Sequence, residues 1–308
     1  MKGFAENGFL IPEIPVSIVN ANWLCSGEQA GNQPDDLRTV EVPDCRQVIP
    51  DANLRRRMGH LLKMAVYCGL RSIEDIGSED VAGIVTATGI GFMKDTVTFG
   101  DSIFDRNEEL LNPSPFMQST FNTASGYIAL ARKIRAYNTT YVHRAGGIAA
   151  ALADAVMLLE ETPDKYVLAG GFDEAVAAVD RIRRRLGYCS GERTLPLGEG
   201  AGFFCLTGRK QDVSAEKARC RLLGVAPASA SRKEFIRACA SMCPECLSET
   251  GSVKMLRCSE MAETSGVFPT MFMILLCRAS VAAGTVLVVD DVNPDGLMAL
   301  TCSDVDMK

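Results

Sequence analysis

Between Thr139 and Glu174 the sequence switches from strand-like to helical and back, and this constrains the fold more than any other stretch. The run Thr139-Thr140-Tyr141-Val142 turns at His143-Arg144-Ala145-Gly146-Gly147 into a helix expected over Ile148 to Glu160. A second strand, Lys165 to Ala169, ends at Gly170-Gly171-Phe172-Asp173-Glu174. Strand, tight turn, helix and strand make a right-handed βαβ unit. The helix carries Ala149, Ala150, Ala151, Ala153 and Ala155, so neighbours can approach it closely on several sides, and it belongs in the middle of a domain. In α/β enzymes the turn before such a helix is where a nucleophile is presented, because helix N–H groups and the positive end of the helix stabilise an anion there. Here that turn holds neither Cys nor Ser.

Ala169-Gly170-Gly171 and, further on, Gly198-Glu199-Gly200-Ala201-Gly202 complete the pattern. The whole stretch resembles the nucleophile region of β-ketoacyl synthases, the condensing enzymes of the thiolase fold. Those enzymes place a catalytic Cys at the mouth of a small-residue helix. Counting back from Gly171 without a gap, that position is Ala145. The resemblance implies an α/β, thiolase-like, five-layered αβαβα fold with a shortened carboxy-terminal half. The expected halves are residues 1–219 and 220–308, forming one compact unit. The segment from Pro113 to Gly126 also resembles the family, in which a Ser-Pro-Phe run leads to an Asn and a Gly before a helix.

Composition excludes several other classes. At 308 residues, 47% hydrophobic and 23% charged, the chain can bury a substantial core. A net charge of -6 argues against nucleic acid as a partner, since phosphate binding needs a dominant basic field. The first twenty residues include Glu6, Glu13, Gly3, Pro12 and Pro15 and do not read as a secretion signal, so cytoplasm is the expected location. Val267 to Asp290 is apolar but broken by Pro269, Arg278 and Gly284, which predicts a buried helix and strand and no membrane span. Twelve Cys without such a signal predict reduced, buried thiols.

Along the chain, the first strand is expected over Val16 to Leu24 and a single amphipathic helix over Asn53 to Met64, with Arg55 to Arg57 on its solvated face. Gly83 to Ala87 reads as a strand and Tyr127 to Arg135 as a helix. Ala175 to Leu186 reads as helical or irregular and carries Arg181, Arg183, Arg184 and Arg185. Such a run is either a solvated face or a docking surface for acyl carrier protein, whose phosphopantetheine phosphate suits Arg pairing. In the second half, strands are expected over Cys220 to Val225, Val253 to Cys258, Thr285 to Asp290 and Leu297 to Cys302. Helices are expected over Arg232 to Met242 and Pro269 to Ser280.

Condensation needs a thiolate, His or His and Asn side chains to polarise the malonyl thioester, and N–H donors for the oxyanions. The chain has two His, His60 and His143, and neither lies in the carboxy-terminal half, where the family's catalytic His residues sit. The nearest match to the second-His segment, Met261 to Thr270, has none. The family's terminal glycine segment is present only as Asn293-Pro294-Asp295-Gly296. No catalytic residue is therefore assigned. The resemblance implies a non-catalytic subunit of chain-length-factor type that pairs with a full-length β-ketoacyl synthase, or with itself. Gly146, Gly147, Ile148, Phe116 and Asn122 are the acyl-tunnel candidates, and no cofactor is expected beyond the carrier protein's phosphopantetheine thioester as an indirect ligand. One alternative is a divergent acyltransferase or thioesterase acting through His143, Cys189 or Cys205; another is a structural homodimer without an acyl ligand. His143 has no adjacent nucleophile to activate and reads as structural, while the direction of Arg144 is open. Cys243-Pro244-Glu245-Cys246 has zinc-ligand spacing. Positions 239, 243 and 246 also share one helix face, so buried thiols explain them and no metal is expected. Gly198 to Gly202 lacks the Lys of a phosphate-binding loop and precedes a strand, which excludes a nucleotide site.

Overall fold

The structure, a computed structural model, describes residues 8–27, 37–187, 195–209, 220–242, 244 and 253–303. β1 (Val16–Cys25) runs through the centre of a nine-stranded sheet. β2 (Leu37–Arg38) forms a small separate ladder, and α1 (Ala52–Arg57) and α2 (His60–Ser72) follow it. These two helices stand where a single helix over Asn53 to Met64 was expected. Asp51 caps α1 by accepting from the N–H groups of Asn53 and Leu54, and Arg55 to Arg57 fill its last turn, where cations suit the negative helix end. Met58 and Gly59 then adopt extended conformations, and the Gln118 side chain accepts the Gly59 N–H at 3.1 Å. A tertiary hydrogen bond thus satisfies the backbone group that the break releases.

The central unit forms as the alanine pattern requires. β3 (Val81–Thr88) leads through α3 (Met93–Asp105), α4 (Pro113–Gln118) and α5 (Thr123–Arg132) to β4 (Tyr137–Val142). Helix α6 (Gly146–Glu161) buries Ile148, Ala151, Leu152, Ala153 and Ala155, and β5 (Tyr166–Asp173) returns beside β3. β5 extends four residues past Ala169, the end expected from sequence. α7 (Ala177–Arg185), β6 (Leu197–Gly198) and β7 (Gly200–Thr207) complete this half. β7 likewise starts before Phe203, because its glycines pair with the end of β5, Gly171 opposite Gly202 and Asp173 opposite Gly200.

The second half comprises β8 (Cys220–Pro227), α8 (Arg232–Met242), β9 (Lys254–Arg257), α9 (Cys258–Ser265), α10 (Met271–Ser280), β10 (Gly284–Val289) and β11 (Leu297–Ser303). The strand order is β4-β3-β5-β7-β1-β8-β11-β10-β9, and a short antiparallel ladder between β1 and β8 joins the halves. β8, β11, β10 and β9 pair in the same senses as β1, β7, β5 and β3. α10 takes the place that α6 has in the first half. Among the described residues nothing corresponds to β4. Residues 89–145 separate β3 from α6, whereas residues 258–270 alone separate β9 from α10, and they hold only α9 and a loop. The reduction foreseen from sequence is therefore concentrated in one crossover.

Three apolar clusters define the layers. Leu61, Leu62, Phe172, Phe203 and Cys205 fill the space under α2 and α5. A central cluster takes in α6, α10 and the inner faces of both halves of the sheet, with Met271, Phe272, Met273, Ile274 and Leu276 buried. Each large side chain so buried contributes about 1.5–3 kcal/mol. A third cluster, with Phe9, Phe235, Cys239, Met298 and Leu300, lies under α8. Helices, sheet, central helices, sheet and helix make the five-layered thiolase-like arrangement. Among the described residues no helix is long and apolar enough to cross a membrane.

Candidate functional site

Ala145 is the N-cap of α6, buried, and offers no side-chain acceptor to the helix. Just before it, Arg144 has a φ of 45°, a left-handed conformation that costs a non-glycine residue about 1–3 kcal/mol. The bend is held by the Arg144 N–H donating to the Gly89 carbonyl at 3.3 Å and by the Gly147 N–H donating to the His143 carbonyl at 3.0 Å. The strained turn at the mouth of α6 thus carries only a methyl group at its tip. His143 is exposed and its ring lies against Gly146, where a Cβ would come within 2.9 Å of Cδ2. No hydrogen bond among the described residues engages that ring.

A cavity of about 600 Å³ opens beside Ala145. It receives Ile90, Met93 and Val97 from α3 and the loop before it, and Val179, Ile182 and Arg183 from α7. The two degenerate segments meet there as well: Val267, Phe268 and Pro269 come from the stretch Met261 to Thr270, and Asn293, Pro294 and Asp295 from the terminal one. The described lining contains no Cys and no His. Its charged groups are Arg144, Glu174, Arg183 and Asp295.

The acyl-tunnel candidates do not gather on this wall. Ile148 and Gly147 are buried behind the turn, and Gly146 sits against His143. Phe116 is exposed on α4, 5.2 Å from the ring of Phe99. Asn122 lines a separate hollow of about 480 Å³ with Met117, Tyr127 and Leu130. Of the arginines on α7, Arg183 and Arg184 both bond Asp180, whereas no ion pair among the described residues engages Arg181 or Arg185. Cys205 is fully buried, and burial pushes its thiol up to about 12, which makes it inert. Cys189, Cys243 and Cys246 lie outside the described residues. Cys239 and Cys258 are buried, and burial raises Cys258 well above the ordinary thiol range.

Sequence reasoning missed a network of buried acids. Asp173 accepts from the Thr88 hydroxyl and the N–H groups of Gly89 and Thr270, at 2.8–3.1 Å. Burial pushes its carboxyl up to about 6 despite these donors. Glu174 accepts the Lys94 N–H at the start of α3, and burial pushes it up to about 7. Glu199, from the glycine motif, accepts from the N–H groups of Val40 and Ala175 and lies 2.6 Å from His60 Nε2. That hydrogen bond raises the pKa of His60 against the opposing effect of its burial. The sequence signal was the acidic residue inside each glycine motif; what it could not supply was the partner, His60, 139 positions away.

These shifts set a pH dependence. Asp173 and Glu174 hold protons in the folded chain at pH values where the unfolded chain has released them, so stability falls as pH rises from their ordinary values, 3.8 and 4.5, to about 6 and 7. The His60–Glu199 pair stabilises fully below the ordinary imidazole value of 6.5 and is lost as pH rises through the higher folded value. All three act in one direction. Urea midpoints are expected to fall between pH 5 and pH 8, and Glu174→Gln to flatten that fall by about 2 kcal/mol.

Residues 26–246 match the family described as Beta-ketoacyl synthase, N-terminal domain. No curated protein matches the chain. Among solved structures it is similar to the ishigamide ketosynthase/chain length factor, with a TM-score of 0.64 and 18% identity over 93% of this chain and 98% of that one. It is also similar to the ketosynthase ApeO in complex with its chain length factor ApeC from Xenorhabdus doucetiae, with a TM-score of 0.55 and 14% identity over 94% and 99%. A beta-ketoacyl synthase from Burkholderia phymatum gives 0.68 and 11% over 95% and 100%. At these identities the structural likeness shows the fold alone.

Proposed function

The chain belongs to the β-ketoacyl synthase family, and on that premise we propose that it is a non-catalytic subunit of chain-length-factor type. It pairs with an active β-ketoacyl–acyl carrier protein synthase in polyketide or fatty-acid-like chain elongation. One observation carries the reading: the cavity at the mouth of α6 has Ala145 at the nucleophile position and neither thiol nor imidazole in its described lining. Among the described residues, no group that could hold an acyl chain covalently and no group that could polarise malonate lines the cavity at this strained turn.

Two surfaces support pairing and carrier recognition. β4 is one edge strand of the sheet, β9 being the other, and on it Tyr137 and Val142 are exposed. Its open row of backbone groups is a template for a strand of another chain. At the cavity mouth, α7 presents Arg181 and Arg185 beside the exposed Ile182 and Leu186, a surface suited to an acidic carrier protein. The structures of a chain length factor with its ketosynthase, and of a type II ketosynthase with its acyl carrier protein, are complexes of this kind.

Co-expression with a full-length ketosynthase tests the proposal. A one-to-one complex by size-exclusion mass analysis is expected, with elongation on carrier-protein substrates that is lost when the partner's Cys is replaced. Turnover of acyl thioesters by this chain alone would instead establish an acyltransferase or thioesterase. A self-paired species that ignores the ketosynthase and holds no acyl ligand would establish a structural homodimer.

A further inference from the structure

Glu174 stands out on the cavity wall. It is buried, yet it lies among Ile90, Met93, Val97, Val179 and Phe268, all apolar. One carboxyl oxygen, Oε1, accepts the Lys94 N–H at 2.9 Å. No hydrogen bond among the described residues engages the other, so an ionised carboxylate depends on solvent entering the cavity. An aliphatic ligand body would displace that solvent and leave a buried charge unsatisfied, whereas a neutral carboxyl has far less to lose.

We propose that Glu174 is a proton-operated gate of this cavity: protonated, it lets the wall accept the aliphatic body of a ligand, and ionised, it excludes one. The surrounding charges fit this role. Glu199, between β6 and β7, and Asp95, on α3, repel the ionised form, while His60, on α2, favours it. Lys94 supplies its backbone N–H, and Arg144, Arg183 and Asp295 face the same cavity from the turn before α6, from α7 and from the turn before β11. Asp173, the neighbour on β5, is turned into hydrogen bonds with Thr88, Gly89 and Thr270. Burial places the titration of Glu174 at about 7, inside the range over which a gate can work. The subunit reading enters only in naming the natural occupant, an acyl chain.

The test uses N-phenyl-1-naphthylamine, an apolar fluorescent probe that stays neutral throughout, titrated into the full chain at pH 6, 7 and 8. Affinity is expected to fall about tenfold from pH 6 to pH 8, as linkage requires when only the protonated state binds. Glu174→Gln is expected to bind equally at every pH, and His60→Gln to keep the fall. Val179→Trp, which fills the cavity, is expected to abolish binding and so to locate the probe. A flat profile in the wild-type chain, a fall that persists in Glu174→Gln, binding that survives Val179→Trp, or no binding at any pH would overturn the gate. A flat profile in a chain that still pairs with its ketosynthase would leave the subunit reading intact. A tenfold fall in a chain that pairs with no ketosynthase would keep the gate and remove that reading.

Discussion

Replacing Tyr137 and Val142 together with lysine is expected to abolish pairing with the partner ketosynthase while leaving the chain folded. Both side chains are exposed on β4, one edge of the nine-stranded sheet, so in the free chain the new ammonium groups stay in water. Edge lysines are also a common means by which proteins prevent strands from pairing. In a complex formed through β4 the same groups would be desolvated against a neighbouring strand, and an unpaired buried charge costs several kcal/mol. The expected result is at least a hundredfold rise in the dissociation constant, on the order of 3 kcal/mol, by size-exclusion mass analysis or calorimetry. The Tyr137 hydroxyl also donates to Asp154 at 2.9 Å, so the urea midpoint is expected to fall only slightly, by the equivalent of about 1 kcal/mol, alongside it. A complex that survives the double substitution would move the interface away from β4 and leave the nucleophile turn far from the partner's acyl chain.

Gly198→Ala is expected to destabilise the fold by about 3 kcal/mol or to prevent folding. A Cβ at this position would lie 2.0 Å from the backbone oxygen of Ser265 and 3.0 Å from the carbonyl carbon of Gly266. Neither can move cheaply, because the Gly198 N–H donates to the Val267 carbonyl and the Ser26 hydroxyl donates to the Ser265 carbonyl. The segment that would shift carries Val267 and Phe268 into the cavity, so a folded variant is expected to lose cavity shape as well as stability. Gly100→Ala provides the contrast: it sits inside α3 with no atom within 4 Å of the added Cβ, and should stabilise by about 0.5–1 kcal/mol. Urea denaturation of the two variants measures the difference. Equal stability in both would mean that the close approach of residues 265–267 to the glycine motif is not what that motif is for.

Much of the second glycine motif becomes intelligible only through this close packing. Gly202 faces the backbone of Ile274 and Met273, at 3.1 Å from where a Cβ would be, which lets α10 lie directly on β7. From the sequence the motif was a family signature that excluded a nucleotide loop. Its physical cause is a helix more than seventy positions later. The break at Met58 and Gly59 is of the same kind, since Gln118 supplies the hydrogen bond that makes two helices of one amphipathic run. By contrast, Cys220 to Val225, Arg232 to Met242 and Leu297 to Cys302 were legible to within two residues, because their patterns are local.

The sequence by itself determined the βαβ centre, whose strand and helix patterns are local, and its resemblance to β-ketoacyl synthases implied the thiolase-like class and the alanine, Ala145, at the mouth of the small-residue helix. The tertiary structure decided where the rest of the chemistry lies. It brought Val267 and Asn293 to the same cavity as Ala145, turned Ile148 away from it, and set Glu174 into its wall. It also joined His60 to Glu199 and moved buried carboxyls toward neutrality. Desolvation and long-range hydrogen bonds depend on which surfaces face each other after folding, and spacing along the chain carries no record of that.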